Sequence, residues 1–203
     1  MPKLTPQQQN DRRMAILQGA ERCFASKGFH PTTMQDICRE AGVSPGALYL
    51  YFKSKEALIV GICERDRQEV MAGIAQIEAV PNLLDALQGM LVHYCVNEPV
   101  SRMKLMVEIF AEANRNPDVA ATVHETDHLI NERFRALTLQ GVADGRLIAK
   151  GDPELIVDTL IVLSDGVFWR RATDPTFDAA HFIDGLFKLI RSNLMIQKSD
   201  LVP

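Results

Sequence analysis

Paired cysteines, long apolar runs and a strong overall charge are all missing from this chain of 203 residues. Its four cysteines, Cys23, Cys38, Cys63 and Cys95, lie far apart, and no two have CxxC spacing. That excludes the common zinc and thioredoxin-like arrangements. In a reducing cytosol they read as small buried hydrophobes, with redox sensing at Cys63 or Cys95 as the alternative. No apolar run approaches the roughly 18 residues a membrane span needs. No apolar segment follows the first residues as it would in a signal peptide. The expected location is therefore cytoplasmic, with no membrane partner. The opening MPKLTPQQQN is polar, with two prolines, and reads as a flexible arm leading into a helix start. Repeats, low-complexity tracts and sustained strand alternation are also missing.

What remains is an ordinary globular composition, 47% apolar and 24% charged. A net charge of −4 argues weakly against a nucleic-acid partner, but its distribution argues the other way. Residues 1–56 carry +3 and the remainder −7. A basic front and an acidic back suit a small module that touches a polyanion on a body that must stay soluble.

Helical periodicity runs throughout and predicts about nine helices. The first spans 5–27, with Ile16, Leu17, Ala20, Cys23 and Phe24 on its apolar face and Gly28 as its stop. Thr32 or Thr33 caps a second over 34–41, and Gly42 ends it. Ser44 caps a third. The fourth runs from Ser54 to about residue 80, with Lys53 and Lys55 flanking its start. Proline and glycine turns then mark helices over about 83–97 and 102–114, one opened by the turn at 114–118 and running to about 144, and two more over about 154–172 and 178–196.

Two short helices joined by a glycine turn, behind a longer one, match a helix-turn-helix. Successive residues about 100° apart on the third helix place Ala47, Leu48, Tyr51 and Phe52 mainly on one side. Leu48 and Phe52 can then pack against Phe24 and Ile37. The other side carries Pro45, Gly46, Tyr49 and Leu50. Facing water, that side is hard to explain. In a major groove, its apolar atoms meet thymine methyls and a phenol reaches a phosphate or a base edge. Gly46 would let the backbone approach closely. Lys55, at the first turn of the fourth helix, and Thr33, at the start of the second, suit phosphates.

The stretch GFHPTTMQDICREAGVSPGALYLYFKSKEAL, residues 28–58, resembles the signature of the TetR family of transcriptional regulators. It departs from the family pattern at Cys38, where alanine is usual, and at Met34, where valine or isoleucine is common. Both fall at expected core positions. The resemblance implies an all-α homodimer without a cofactor. Residues 1–56 would be its helix-turn-helix DNA-binding domain and residues 57–203 a helical domain for ligand binding and dimerisation. It further implies that helices four to seven enclose a small-molecule inducer, that helices eight and nine dimerise, and that the operator is palindromic double-stranded DNA. Carried over by position, the DNA contacts fall on Thr33, Ser44, Pro45, Gly46, Tyr49, Tyr51 and Lys55.

Two later stretches, MVEIFAEANRNPDVAA (106–121) and DGVFWRR (165–171), resemble more loosely the BetI-type C-terminal domain of that family. Candidate pocket residues are Met71, Met90, His93, Met103, Met106, Phe110, His128 and Trp169, chosen because methionine and aromatic side chains adapt to apolar ligands. Glu108 joins them as the conspicuous charge of an apolar helix, with pairing to Arg102 or Arg115 as its simpler role. For the dimer face, the eighth helix offers Leu155, Thr159, Val162 and Gly166. The ninth offers a stripe of Phe182, Leu186, Leu189 and Ile190.

One segment points elsewhere. HETDH, residues 124–128, fits the five-letter pattern of zinc metalloproteases, with His124 and His128 as ligands and Glu125 as base. No third ligand or cleft is evident, so an exposed helix face is the expectation and no metal is assigned. A metal-dependent hydrolase at this segment, or a helical protein-interaction scaffold, stand as the alternatives to a DNA-binding regulator.

Overall fold

In the computed structural model, which describes residues 5–198, side-chain caps set where the early helices begin. Thr5 and Gln8 form a capping box at the start of α1 (Pro6–Lys27), and Pro6 occupies its first turn. Thr33 and Asp36 do the same for α2 (Met34–Ala41). Ser44 Oγ accepts the Ala47 N–H at 3.2 Å to open α3 (Pro45–Tyr51). Ser54 Oγ accepts the Ala57 N–H at 3.2 Å to open α4 (Lys55–Ile77). Gly28 (φ 83°) and Gly42 (φ 66°) stop α1 and α2 in conformations that a side chain would strain.

The remaining helices are α5 (Leu83–Val92), α6 (Val100–Ala113), α7 (Pro117–Ala143), α8 (Pro153–Thr173) and α9 (Ala179–Asn193). Among the described residues there are thus nine α-helices, and the chain is all-α but for one small ladder. Strands β1 (Leu147–Ala149) and β2 (Met195–Gln197) pair antiparallel, Ile148 opposite Ile196. Three-residue strands are too short to show a period of two, which is why the sequence hides them and why α9 stops at Asn193 instead of near residue 196. The helix expected to reach residue 97 changes after Val92 into a single π-helical turn, His93–Asn97, where the Glu98 N–H bonds back to His93 O at 3.3 Å and Pro99 follows.

The chain divides into two compact units, and neither matches a boundary at residue 56. The first takes residues up to Asp66 together with Lys104–Thr126. Its core holds Ile16, Leu17, Phe24, Ile37, Leu48, Phe52, Leu58 and Ile62, joined by Leu105, Ile109, Val119 and Val123. Within it α1 and α2 approach closely. A Cβ on Gly19 would sit 2.9 Å from Ala41 Cβ and 3.0 Å from its backbone nitrogen. Gly19→Val is expected to cost about 1–3 kcal/mol by overpacking, read as a lower urea midpoint.

The second unit takes Arg67–Met103 and the chain from Asp127 onward. Its core includes Leu83, Leu84, Leu87, Ile156, Leu160, Val167, Ile183, Phe187 and Ile190. All four cysteines are free and buried, and burial pushes the Cys63 and Cys95 thiols up to about 12. Such burial is the environment of structural rather than reactive cysteines.

Candidate nucleic-acid interface

The candidate interface starts from how α3 is held. Leu48 is fully buried and Phe52 nearly so, both in the core with Phe24 and Ile37, which fixes the orientation of the helix. The opposite face lies open: Ser44, Pro45 and Gly46 are exposed, Tyr49 is 44% exposed and Leu50 79%. A Cβ built on Gly46 would meet nothing within 4 Å, so the protein's own packing does not demand a glycine there. Tyr51 is half-buried against the core, so much of its ring packs inward.

Two expected phosphate contacts are already engaged within the chain. Lys55 Nζ donates to the carbonyls of Phe29 (2.6 Å) and His30 (3.1 Å) and lies 4.4 Å from the centre of the Phe29 ring. It therefore ties the first turn of α4 to the loop between α1 and α2. Thr33 Oγ1 accepts the Asp36 N–H and donates to Asp36 Oδ2 at 2.7 Å, completing the α2 cap. The Thr33 hydroxyl, the Thr33 N–H and Lys27 together hold the Asp36 carboxyl well below the usual carboxylate range. Lys53 Nζ donates to Tyr49 O at 2.6 Å.

Other contacts of this unit have no local sequence signal. Glu108 Oε2 accepts the Phe29 N–H at 3.0 Å across 79 positions of sequence. Neither of the arginines expected beside it plays that part: Arg102 pairs with Glu69 and Glu98, and Arg115 meets His30. His30 Nε2 also lies 3.2 Å from the buried carboxylate of Glu112. Arg65, 7% exposed, forks onto Glu21 and Asp66.

The pocket candidates are shared between the two units. Met106, Glu108 and Phe110 belong to the first unit, and Met71, Met90, His93, Met103, His128 and Trp169 to the second. A crevice lined by Phe24, Phe29, Ile59, Leu105, Glu108 and Ile109 takes in only Glu108 of the nine. It encloses essentially no free space, so as it stands it is a packing crevice and not a small-molecule cavity. Met103 is buried, Met71, Met90 and Met106 are half-buried, and His93, Phe110, His128 and Trp169 are exposed. Trp169 falls on the outward face of α8, with Leu155 and Val162.

The stripe expected on α9 splits. Leu186 and Ile190 are buried in the second unit's own core, whereas Phe182 (40%) and Leu189 (55%) are exposed. On α8, Leu155 (65%), Val162 (67%), Thr159 and Gly166 are all exposed. His124, Glu125 and His128 are exposed on α7. Among the described residues no group of three or more His, Cys, Asp or Glu side chains is placed to hold a metal ion. Nor is any helix of the described residues long and apolar enough to cross a membrane.

Residues 16–62 match the family model "Bacterial regulatory proteins, tetR family", and residues 84–194 match "BetI-type transcriptional repressor, C-terminal". The chain belongs to the TetR family of bacterial transcriptional regulators, with a C-terminal domain of BetI type. It is 31% identical over 179 residues to the HTH-type transcriptional regulator UidR of Escherichia coli K12, covering 88% of this chain and 90% of that one. Its fold matches that of Salmonella enterica GusR with a TM-score of 0.74 at 33% identity, covering 95% and 99% of the two chains. A transcriptional regulator of Saccharomonospora viridis, solved in complex with choline, shares the fold with a TM-score of 0.76 at 19% identity, covering 92% and 98%. The chain is thus a DNA-binding regulator and not an enzyme, which sets aside the hydrolase reading of residues 124–128.

Proposed function

We propose that the protein is a repressor that binds a palindromic operator as a homodimer and leaves it when a small molecule binds. The observation that carries this is α3, anchored by Leu48 and Phe52 while it turns Pro45, Gly46, Tyr49 and Leu50 outward. Ser44 and Thr33 act by positioning the two helices, and Tyr49 supplies the phenol that meets the duplex. Lys55 acts by fixing the loop between α1 and α2. Tyr51 serves mainly as an anchor.

The dimer forms through the outward faces of α8 and α9. Leu155, Thr159, Val162, Gly166 and Trp169 follow one another at intervals of four and three, the spacing of a helix-packing seam. On α9, Phe182 and Leu189 extend it. An inducer acts by binding more tightly to the DNA-incompetent state, since only a difference in affinity can shift the population. The choline complex of the Saccharomonospora viridis relative supports a small-molecule site in this fold. For this chain the ligand is sought among candidates by thermal shift.

A gel shift on the DNA upstream of the protein's own coding sequence, across a salt series, tests the reading. Binding weakens steeply as salt rises, because counterions are released from the phosphates. Tyr49→Ala is expected to weaken specific binding roughly tenfold while leaving the salt slope unchanged, because the phenol is neutral. Specific binding absent even at low salt overturns the proposal.

A further inference from the structure

We infer that Leu50 reads thymine by its C5-methyl group, so that each operator half-site carries a thymine whose methyl is recognised in the major groove. The inference rests on the DNA-binding reading of α3 and adds the chemistry of the base that is read. Two independent features carry it. The first is exposure. Among described residues up to Asp66, Tyr49 and Leu50 are the large hydrophobic side chains standing open to solvent, and Leu50 is the more exposed at 79%. A leucine projecting from the outward face of an anchored helix offers methyl groups and no hydrogen bond.

The second is what α3 lacks. Its sequence, PGALYLY, holds no guanidinium, ammonium, amide or carboxylate. Those are the groups that read guanine by its O6 and N7, adenine by its N6 and N7, or cytosine by its N4. The neighbouring ammonium groups already have partners, Lys53 in Tyr49 O and Lys55 in the carbonyls of Phe29 and His30, while Ser44 Oγ accepts the Ala47 N–H as the helix cap. The remaining base-specific feature of the major groove that a leucine can recognise is the thymine methyl. Gly46, with open space where its side chain would be, leaves room for α3 to come near the bases.

The test uses the full-length protein and a duplex enriched from a random-sequence library. Each thymine of that duplex is replaced in turn by deoxyuridine, which removes the methyl and keeps the hydrogen-bonding edge. At one thymine per half-site, removal is expected to weaken the wild-type protein roughly fourfold, the effect of one buried methyl-sized group. Substitution in both half-sites together is expected to weaken it about sixteenfold, since distant sites add. Leu50→Ala, at a site too exposed to disturb the core, is expected to bind the thymine and uracil duplexes equally. If the wild type is indifferent to uracil at every thymine, or Leu50→Ala keeps the full uracil penalty, the inference is overturned and DNA binding stands. If no duplex enriches at all, both are overturned.

Discussion

Arg65→Ala is expected to destabilise the first unit by about 3–5 kcal/mol, the cost of breaking a buried ion pair by removing one partner. Arg65 is 7% exposed on α4, and its guanidinium meets Glu21 of α1 through two hydrogen bonds, Nη1 to Oε2 at 2.9 Å and Nη2 to Oε1 at 2.5 Å. It also donates to Asp66 Oδ1 from Nε at 3.1 Å and from Nη2 at 2.6 Å. Burial works against the charged guanidinium, but the Glu21 and Asp66 contacts outweigh it and raise the Arg65 pKa above its ordinary value. Truncation removes this guanidinium from two largely buried carboxylates. Urea unfolding reads the effect as a lower midpoint at unchanged slope. Restoring apolar contact while neutralising both acids, in Arg65→Met with Glu21→Gln and Asp66→Asn, should recover part of the loss. A loss below about 1 kcal/mol for Arg65→Ala would mean the ion pair is worth no more than a surface one.

Val162→Asp is expected to make the protein monomeric. Val162 is 67% exposed, and Leu155 and Trp169 stand seven residues to either side on the same face of α8. The Thr159 hydroxyl is turned back onto Leu155 O at 2.7 Å, which masks its polarity, and nothing in the protomer fills the space beside Gly166. A seam of this kind fits a second copy of itself. In a two-fold pair one substitution places an aspartate in each protomer, and both lose water without gaining a cation. Dimerisation is expected to weaken by at least about 10³-fold, on the order of 4 kcal/mol. Sedimentation velocity should then show a monomer where the wild type sediments as a dimer. Because Val162 points away from its own core, the thermal stability of the helical unit itself should change little. A variant that remains dimeric at the same concentrations would remove α8 from the interface.

The head of the protein was legible because its signals are local. Thr5, Thr33, Ser44 and Ser54 lie within three residues of the N–H groups they cap, and Gly28 and Gly42 stop the helices where their φ requires glycine. The inward residues of α1 to α3 were placed by helical period alone. What escaped depends on partners distant in sequence. Glu108 reaching the Phe29 N–H, Lys55 turning onto the Phe29 and His30 carbonyls, and β1 finding β2 leave no trace in a local pattern. On α9 the period identified apolar positions correctly but could not say which of two adjacent apolar faces the chain would cover. Leu186 and Ile190 went inward, and Phe182 and Leu189 stayed out. The methionines and aromatics named as pocket candidates rest on side-chain chemistry alone, which marks no place in the fold, because methionine fills ordinary core as readily as it lines a ligand site.

The most direct test of a dimer reading a two-fold operator is footprinting of the enriched duplex by the full-length protein. The account predicts two protected major-groove faces centred about 34–36 Å apart or a multiple of that, with two protomers per site. A single protected face, or uniform protection that does not depend on sequence, would contradict it.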